Sequence, residues 1–262
     1  MQKQRKWLIE NEGKLTDIQR ESYWKNTHLN ENYETVWSMT DDHKVREKLI
    51  REIEIFENSK ILIPGCGSRV TLQNQIAMMV DEVEEILCTD FADVIDKAKL
   101  NDNHIKIKYD VRNSQKLGFR DEWDIIIVVN SILSENDEEN RNILESCFES
   151  LKPGGFLVGM FPTIFATLDM GYLEENSEFL NRVDAVKSSY REDKQGLWQI
   201  FYTPLRLRRI MLESGFDLKK MEIFFCDSEY FIEHSREYYG IQDPDMVIYE
   251  LFISAQKPLI EV

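Results

Sequence analysis

The chemistry this chain could carry starts at ILIPGCGSRV (61–70), where Pro64 and Gly65 lead into Cys66 and Gly67. Two aspartates follow, Asp90 about 25 residues after Gly65 and Asp110 about 20 after that. A glycine lacks a Cβ, so a Gly-x-Gly turn bends sharply and lets the backbone approach a ligand. A carboxylate at Asp90 can accept two hydrogen bonds from vicinal ribose hydroxyls, and one at Asp110 can accept from an exocyclic amine such as adenine's. Taken singly, each has an ordinary structural reading. Glycine turns often join strands to helices, Asp90 can cap the helix that follows it, and Asp110 can simply be solvated. The residues become a site only if the fold brings them to one place.

The surrounding pattern supplies that place. KILIP (60–64) reads as a strand, 70–80 as a helix, EEILCTD (84–90) as a strand and FADVIDKAKL as a helix. HIKIKYD (104–110) and WDIIIVVN (123–130) are further strands, the second apolar throughout and so buried on both faces. DEENRNILESCFESL (137–151) reads as a helix stopped by KPGG, before a fifth strand at 156–161. Repeated strand–helix units with continuous apolar strands imply an α/β fold with a mostly parallel sheet and helices on both faces. Gly65, Asp90 and Asp110 then close three strands on one edge of that sheet, where ligands bind.

The remaining segments frame this core within a single domain, 1–262. Residues 1–57 predict a polar helical lid segment. In it Asp41 and Asp42 are candidate N-caps for HKVREKLIREIEIF, where Val45, Leu49, Ile53 and Phe56 recur at helical spacing. Residues 58–161 are the cofactor-binding core, and 162–203 break the rhythm and read as a substrate-side insertion. Residues 204–262 begin with a helix in TPLRLRRIMLESGF (203–216). Strands at 217–226 and 246–257, with no clear helix between them, are expected to pair antiparallel at the sheet edge.

Composition bounds the partners. The formal charge is −16 over 262 residues, which disfavours nucleic acid, and RLRR (206–209) is the one dense basic cluster, suited to a helix surface or a substrate anion. No apolar run approaches membrane-spanning length, and the opening MQKQRKWLIENEG lacks an apolar signal core, so a cytoplasmic protein is expected. Cys66, Cys88, Cys147 and Cys226 form no metal-ligand pattern and read as reduced thiols, and no metal is expected.

ILIPGCGSR, ILCTDFADVIDKAK, YDVRN, WDIIIVVNSIL and LKPGGFLVGM together resemble the successive motifs of the class I, Rossmann-like S-adenosylmethionine-dependent methyltransferases. The resemblance covers residues 58–162 and, more loosely, the last two strands. It implies a seven-stranded sheet with the last strand antiparallel and S-adenosyl-L-methionine as cofactor. It places Pro64, Gly65, Cys66, Gly67 and Arg69 at the turn, Asp90 and Phe91 at the ribose, Asp110, Val111 and Arg112 at the adenine, and Asn130 beyond strand four. Two positions depart from the family's pattern: Ile63 stands where an acid is usual, and Arg69 where a third glycine is usual. A dinucleotide fingerprint lacks its third glycine here, and no Gly-Lys-Ser/Thr follows for a phosphate loop.

The acceptor is expected over the same edge, roofed by the N-terminal segment and the insertion. Tyr23, Trp24, Tyr33 and Trp37 are candidates to hold a substrate, though helix packing explains such aromatics equally well. His28 is the candidate general base, with His234 of similar standing. The leading expectation is methyl transfer to O, N or S of a small molecule. A methyltransferase acting on RNA or a protein side chain, and a non-catalytic cofactor-binding interaction protein, are the alternatives.

Overall fold

The computed structural model describes residues 38–53, 59–79, 83–102, 104–173, 180–191, 198–243 and 245–259. Five strands and their helices build the core: β1 (Ser59–Pro64), α2 (Thr71–Met79), β2 (Val83–Asp90), α3 (Ala92–Asn101), β3 (Ile107–Val111), β4 (Trp123–Val129), α4 (Asp137–Ser150) and β5 (Leu151–Pro162). They are preceded by α1 (His43–Glu52) and followed by α5 (Ile164–Leu173), the short strands β6 (Val183–Asp184), β7 (Ser189–Arg191) and β8 (Trp198–Ile200), α6 (Pro204–Glu213), β9 (Asp217–Phe225), α7 (Glu229–His234) and β10 (Tyr249–Gln256).

One sheet of seven strands runs in the order β3-β2-β1-β4-β5-β10-β9. β1 to β5 are mutually parallel, and β10 is antiparallel to both β5 and β9. β1, β4 and β5 are apolar on both faces because both faces are covered. Leu62, Ile126, Val128 and Leu157 pack with Leu144 of α4 and Leu207 and Met211 of α6. Ile61, Ile63, Ile127 and Val158 pack with Val45 and Leu49 of α1 and Leu72 and Ile76 of α2. Each such side chain, fully buried, contributes about 1.5–3 kcal/mol.

Local signals set the helix ends. Asp42 caps α1 by accepting from the Val45 N–H at 3.0 Å, and Ile53 is its C-cap, while Phe56 lies outside the described residues. Asn136 caps α4, whose first turn carries Asp137, Glu138 and Glu139 against the helix dipole. Thr203 caps α6, with Pro204 at the first helical position.

Several expectations need correcting. α4 ends at Ser150 as the KPGG stop predicts, but the fifth strand begins at Leu151, paired with Trp123 of β4, and not at 156. β3 begins at Ile107, because residues 105–106 turn. The last two strands pair antiparallel as expected, with β10 inside the sheet between β5 and β9 and β9 at the edge opposite β3, and α7 sits in the connection that was read as having no clear helix. The insertion carries α5 and a three-stranded antiparallel sheet, β6-β7-β8. It has an apolar cluster of its own, Ile164, Met170 and Tyr190 closed by Ile241 from the chain leading into β10.

Candidate functional site

The turn after β1 is shaped by its glycines. Gly65 and Gly67 have φ of 65° and 69°, the left-handed region that other residues avoid. The Thr89 carbonyl at the end of β2 accepts from both the Gly65 N–H (2.8 Å) and the Cys66 N–H (3.2 Å). A Cβ at Gly65 would lie 2.7 Å from the Cβ of Ser131, so the segment after β4 crosses where a side chain would be. Gly65→Ala therefore adds a clash to an unfavourable φ, and is expected to cost about 2 kcal/mol or more of stability. Adding Ser131→Gly should restore part of it, the steric part, in a denaturant-unfolding double-mutant cycle.

Asp90 closes β2 and is 7% exposed. Its Oδ2 accepts from the Gly67 N–H at 2.8 Å and its Oδ1 from the Phe91 N–H at 2.7 Å. Burial pushes its pKa up to about 6, and the two N–H donors pull the other way. A carboxylate offers about four lone-pair positions, so roughly two remain for a ligand's hydroxyls. Asp90 sits directly opposite Val111 of β3, which is 52% exposed beside it.

Asp110 accepts from the Val111 N–H at 2.9 Å and from Arg112 Nε at 2.8 Å. The Arg112 guanidinium lies 4.1 Å from the centre of the Phe119 ring and donates to the Leu117 carbonyl. Arg112 thus braces Asp110 from outside, while Val111 and Phe91 offer apolar surface beside Asp90. Asp110 and Val111 end β3, and Arg112 after them turns toward Phe119.

Pro64 is buried at the end of β1. The neighbouring Cys88 thiol and burial raise the Cys66 pKa well above its ordinary value, so the thiol stays protonated. Arg69 bonds Asp41 through its guanidinium. Thr71 Oγ1 donates to the Thr40 carbonyl at 2.9 Å, so residues 38–42 dock on the start of α2 beside the turn. Ser228, the N-cap of α7, donates to Asp42, and Tyr230 Oη accepts from the Ser38 N–H at 2.9 Å. Ile63, in the place of the usual acid, is buried in the apolar layer.

Asn130 follows β4 with φ of 48°, unusual for a residue with a side chain. Its Nδ2 donates to Glu250 Oε1 at 2.7 Å. Glu250, near the start of β10 opposite Pro162, is a buried carboxylate at this edge that the sequence reading does not single out. The signal was the lone charged residue in YELFISAQ, which matters only once β10 is known to be interior.

His28, Tyr23, Trp24, Tyr33 and Trp37 lie outside the described residues. His234 ends α7 and is buried, its ring edge-on to Phe231. The RLRR cluster is ion-paired, Arg206 with Asp137 at 2.5 Å and Arg209 with Glu213 at 2.6 Å, which favours the helix-surface reading. Among the described residues no group of His, Cys, Asp and Glu could hold a metal, and no helix is long and apolar enough to cross a membrane.

No family model matches the chain, and no curated protein matches it by sequence. Its fold has clear counterparts among solved structures. A SAM-dependent methyltransferase from Methanosarcina mazei is 18% identical over 80% of this chain and 97% of its own, with a TM-score of 0.60. A chain of the complex between the Haloferax volcanii Trm112 methyltransferase activator and a methyltransferase is 13% identical over 90% and 97%, with a TM-score of 0.61. An S-adenosylmethionine-dependent methyltransferase from Mesorhizobium loti is 14% identical over 83% and 99%, with a TM-score of 0.59. At such identities the likeness defines the fold, which is that of the class I, Rossmann-like S-adenosylmethionine-dependent methyltransferases.

Proposed function

We propose that the protein is an S-adenosylmethionine-dependent methyltransferase acting on O, N or S of a small molecule. The observation that carries the reading is the Asp90 carboxylate. It is buried against the positive-φ glycine turn with both oxygens fixed by backbone N–H groups and lone pairs to spare. That arrangement fits a ribose diol. Val111 and Phe91 beside it fit the face of adenine, and Asp110, held by Arg112, fits its exocyclic amine.

The cofactor supplies an electrophilic methyl on a sulfonium and leaves as a thioether. The chain's part is alignment of donor and acceptor and exclusion of water. The Gly65–Gly67 turn and Asp90 fix the donor at the edge between β1 and β2. Ile164, Met170 and Tyr190 of the insertion pack with Ile241 just beyond the end of β5, and this cluster is read as cover on the acceptor side. This packed cover supports a small acceptor. A general base is needed only when the acceptor's proton has a high pKa.

A macromolecular acceptor is the second reading, favoured by the likeness to a chain in a complex with a methyltransferase activator. Against nucleic acid stands the charge of −16. The expected result is no RNA retained in filter binding at 200 mM salt, a condition in which contacts carried by phosphate charge collapse. Retention there would favour an RNA acceptor.

Thermal-shift and calorimetric titration with S-adenosylhomocysteine tests the cofactor assignment. Saturation at about 100 times the dissociation constant should add ~2.7 kcal/mol of stability. No shift at millimolar ligand would remove the cofactor from the account.

A further inference from the structure

We propose that Glu250 and Asn130 together form a binding site for a primary ammonium group at the acceptor-side end of the sheet edge. This deepens the methyltransferase reading and rests on it for the neighbouring ligand.

The placement comes first. Asn130 leaves β4 in the left-handed region, and the next residue, Ser131, occupies the space a Gly65 side chain would need. Asn130 is therefore one residue from contact with the glycine turn. Glu250 enters from the far side, on β10, opposite Pro162 of β5 and Phe224 of β9. The Asn130 Nδ2 to Glu250 Oε1 bond of 2.7 Å joins the two across the C-terminal ends of β4 and β5.

The hydrogen-bond inventory then specifies the ligand. Glu250 is 6% exposed, and its Oε2 has no hydrogen-bond partner, nor has the Asn130 Oδ1. Both orphaned atoms are acceptors. A buried carboxylate left with an open oxygen costs folding free energy, and an orphaned amide oxygen adds to it. The complement is a donor with at least two N–H bonds. A positive charge is also required, because no lysine or arginine among the described residues pairs with Glu250. The facing groups are the Asn130 amide and, just after β9, the Cys226 thiol. An alkylammonium meets both requirements, whereas a hydroxyl meets neither fully. Burial raises the Glu250 pKa to about 7, a measure of how poorly the carboxylate is served without a cation.

Such an ammonium has two possible sources, the α-amino group of the cofactor's methionine part and an amine on the acceptor. Calorimetry and thermal shift on wild type, Glu250→Gln and Asn130→Gly separate them. Glu250→Gln keeps the shape, and Asn130→Gly suits the positive φ, so both should fold. The probes are S-adenosylhomocysteine, 5′-methylthioadenosine, which lacks the amino acid, and n-butylammonium against n-butanol, with and without the adenosyl ligand. A loss of ~10-fold or more for S-adenosylhomocysteine in the variants, with 5′-methylthioadenosine unchanged, supports the proposal and assigns the cofactor's amine. Unchanged adenosyl affinities, with n-butylammonium stabilising wild type but neither variant and butanol inert, support it and assign the acceptor's amine. If wild type binds neither adenosyl ligand, the cofactor reading fails and n-butylammonium alone decides this one. Equal behaviour of wild type and variants toward every probe overturns it. So does an equal loss of both adenosyl ligands, since the damage then reaches the adenine end.

Discussion

Glu250→Gln is expected to make the free protein more stable by about 3 kcal/mol at pH 8, and by less than about 1 kcal/mol at pH 5. The cause is burial, which lifts the folded-state pKa to about 7 from an ordinary 4.5, with only the Asn130 bond opposing. The folded state then binds its proton more tightly than the unfolded chain does. Wild-type stability from this group is full below pH 4.5, falls as pH rises toward 7, and levels off above it. The neutral glutamine has no such loss, so the gap between the two proteins should open across that window. Asp90 titrates nearby but is present in both, and its contribution cancels in the difference. For a chain of this size 3 kcal/mol corresponds to roughly 5–10 °C in thermal midpoint at pH 8. A gap that stays constant from pH 5 to pH 8 would mean that folding does not shift the Glu250 pKa and that burial does not penalise its charge. A stabilising substitution that removes ligand binding is the signature of a group kept for function at the expense of the fold.

The contrast between Asp90 and Glu250 shows what a sequence discloses of such a site. The turn at Gly65 and the carboxylate at Asp90 belong to adjacent strand–helix units, and their spacing reports the fold directly, since β1 and β2 are neighbours in the chain and in the sheet. Glu250 lies 120 residues from Asn130. It becomes buried only because β10 inserts antiparallel between β5 and β9, a pairing set by long-range packing. LKPGG does end α4, but its glycines and proline hid that β5 already begins at Leu151. Here Gly155 lets β5 run close to the carbonyls of Asp124 and Lys152. Arg69 was assigned to the cofactor from its place in the turn. Its bond to Asp41, contributed by a segment 28 residues earlier, has no local signal.

Asp90→Ala is expected to weaken S-adenosylhomocysteine binding by ~1.5–3 kcal/mol, about 10- to 150-fold, by calorimetry at pH 8. Two losses combine. The ribose loses a charged acceptor, and the Gly67 and Phe91 N–H groups lose theirs, so the turn itself loosens. Asp90→Asn separates them in part. The amide keeps one oxygen for one backbone N–H but turns an NH2 donor toward the other, so its affinity should fall between wild type and alanine. The titration of Asp90 gives an independent handle. Its folded pKa of about 6 describes the free protein, and hydroxyl donors favour the ionised form. Binding therefore lowers that pKa and releases a proton near pH 6. Wild-type affinity should be level above about pH 7 and decline as pH drops through 6, whereas the alanine variant lacks this decline. The proton release also appears as a dependence of the apparent binding enthalpy on the ionisation heat of the buffer. Wild-type affinity that is flat from pH 5 to 8, together with an alanine variant that binds as tightly, would take Asp90 out of the site and leave the glycine turn as a structural feature of β1.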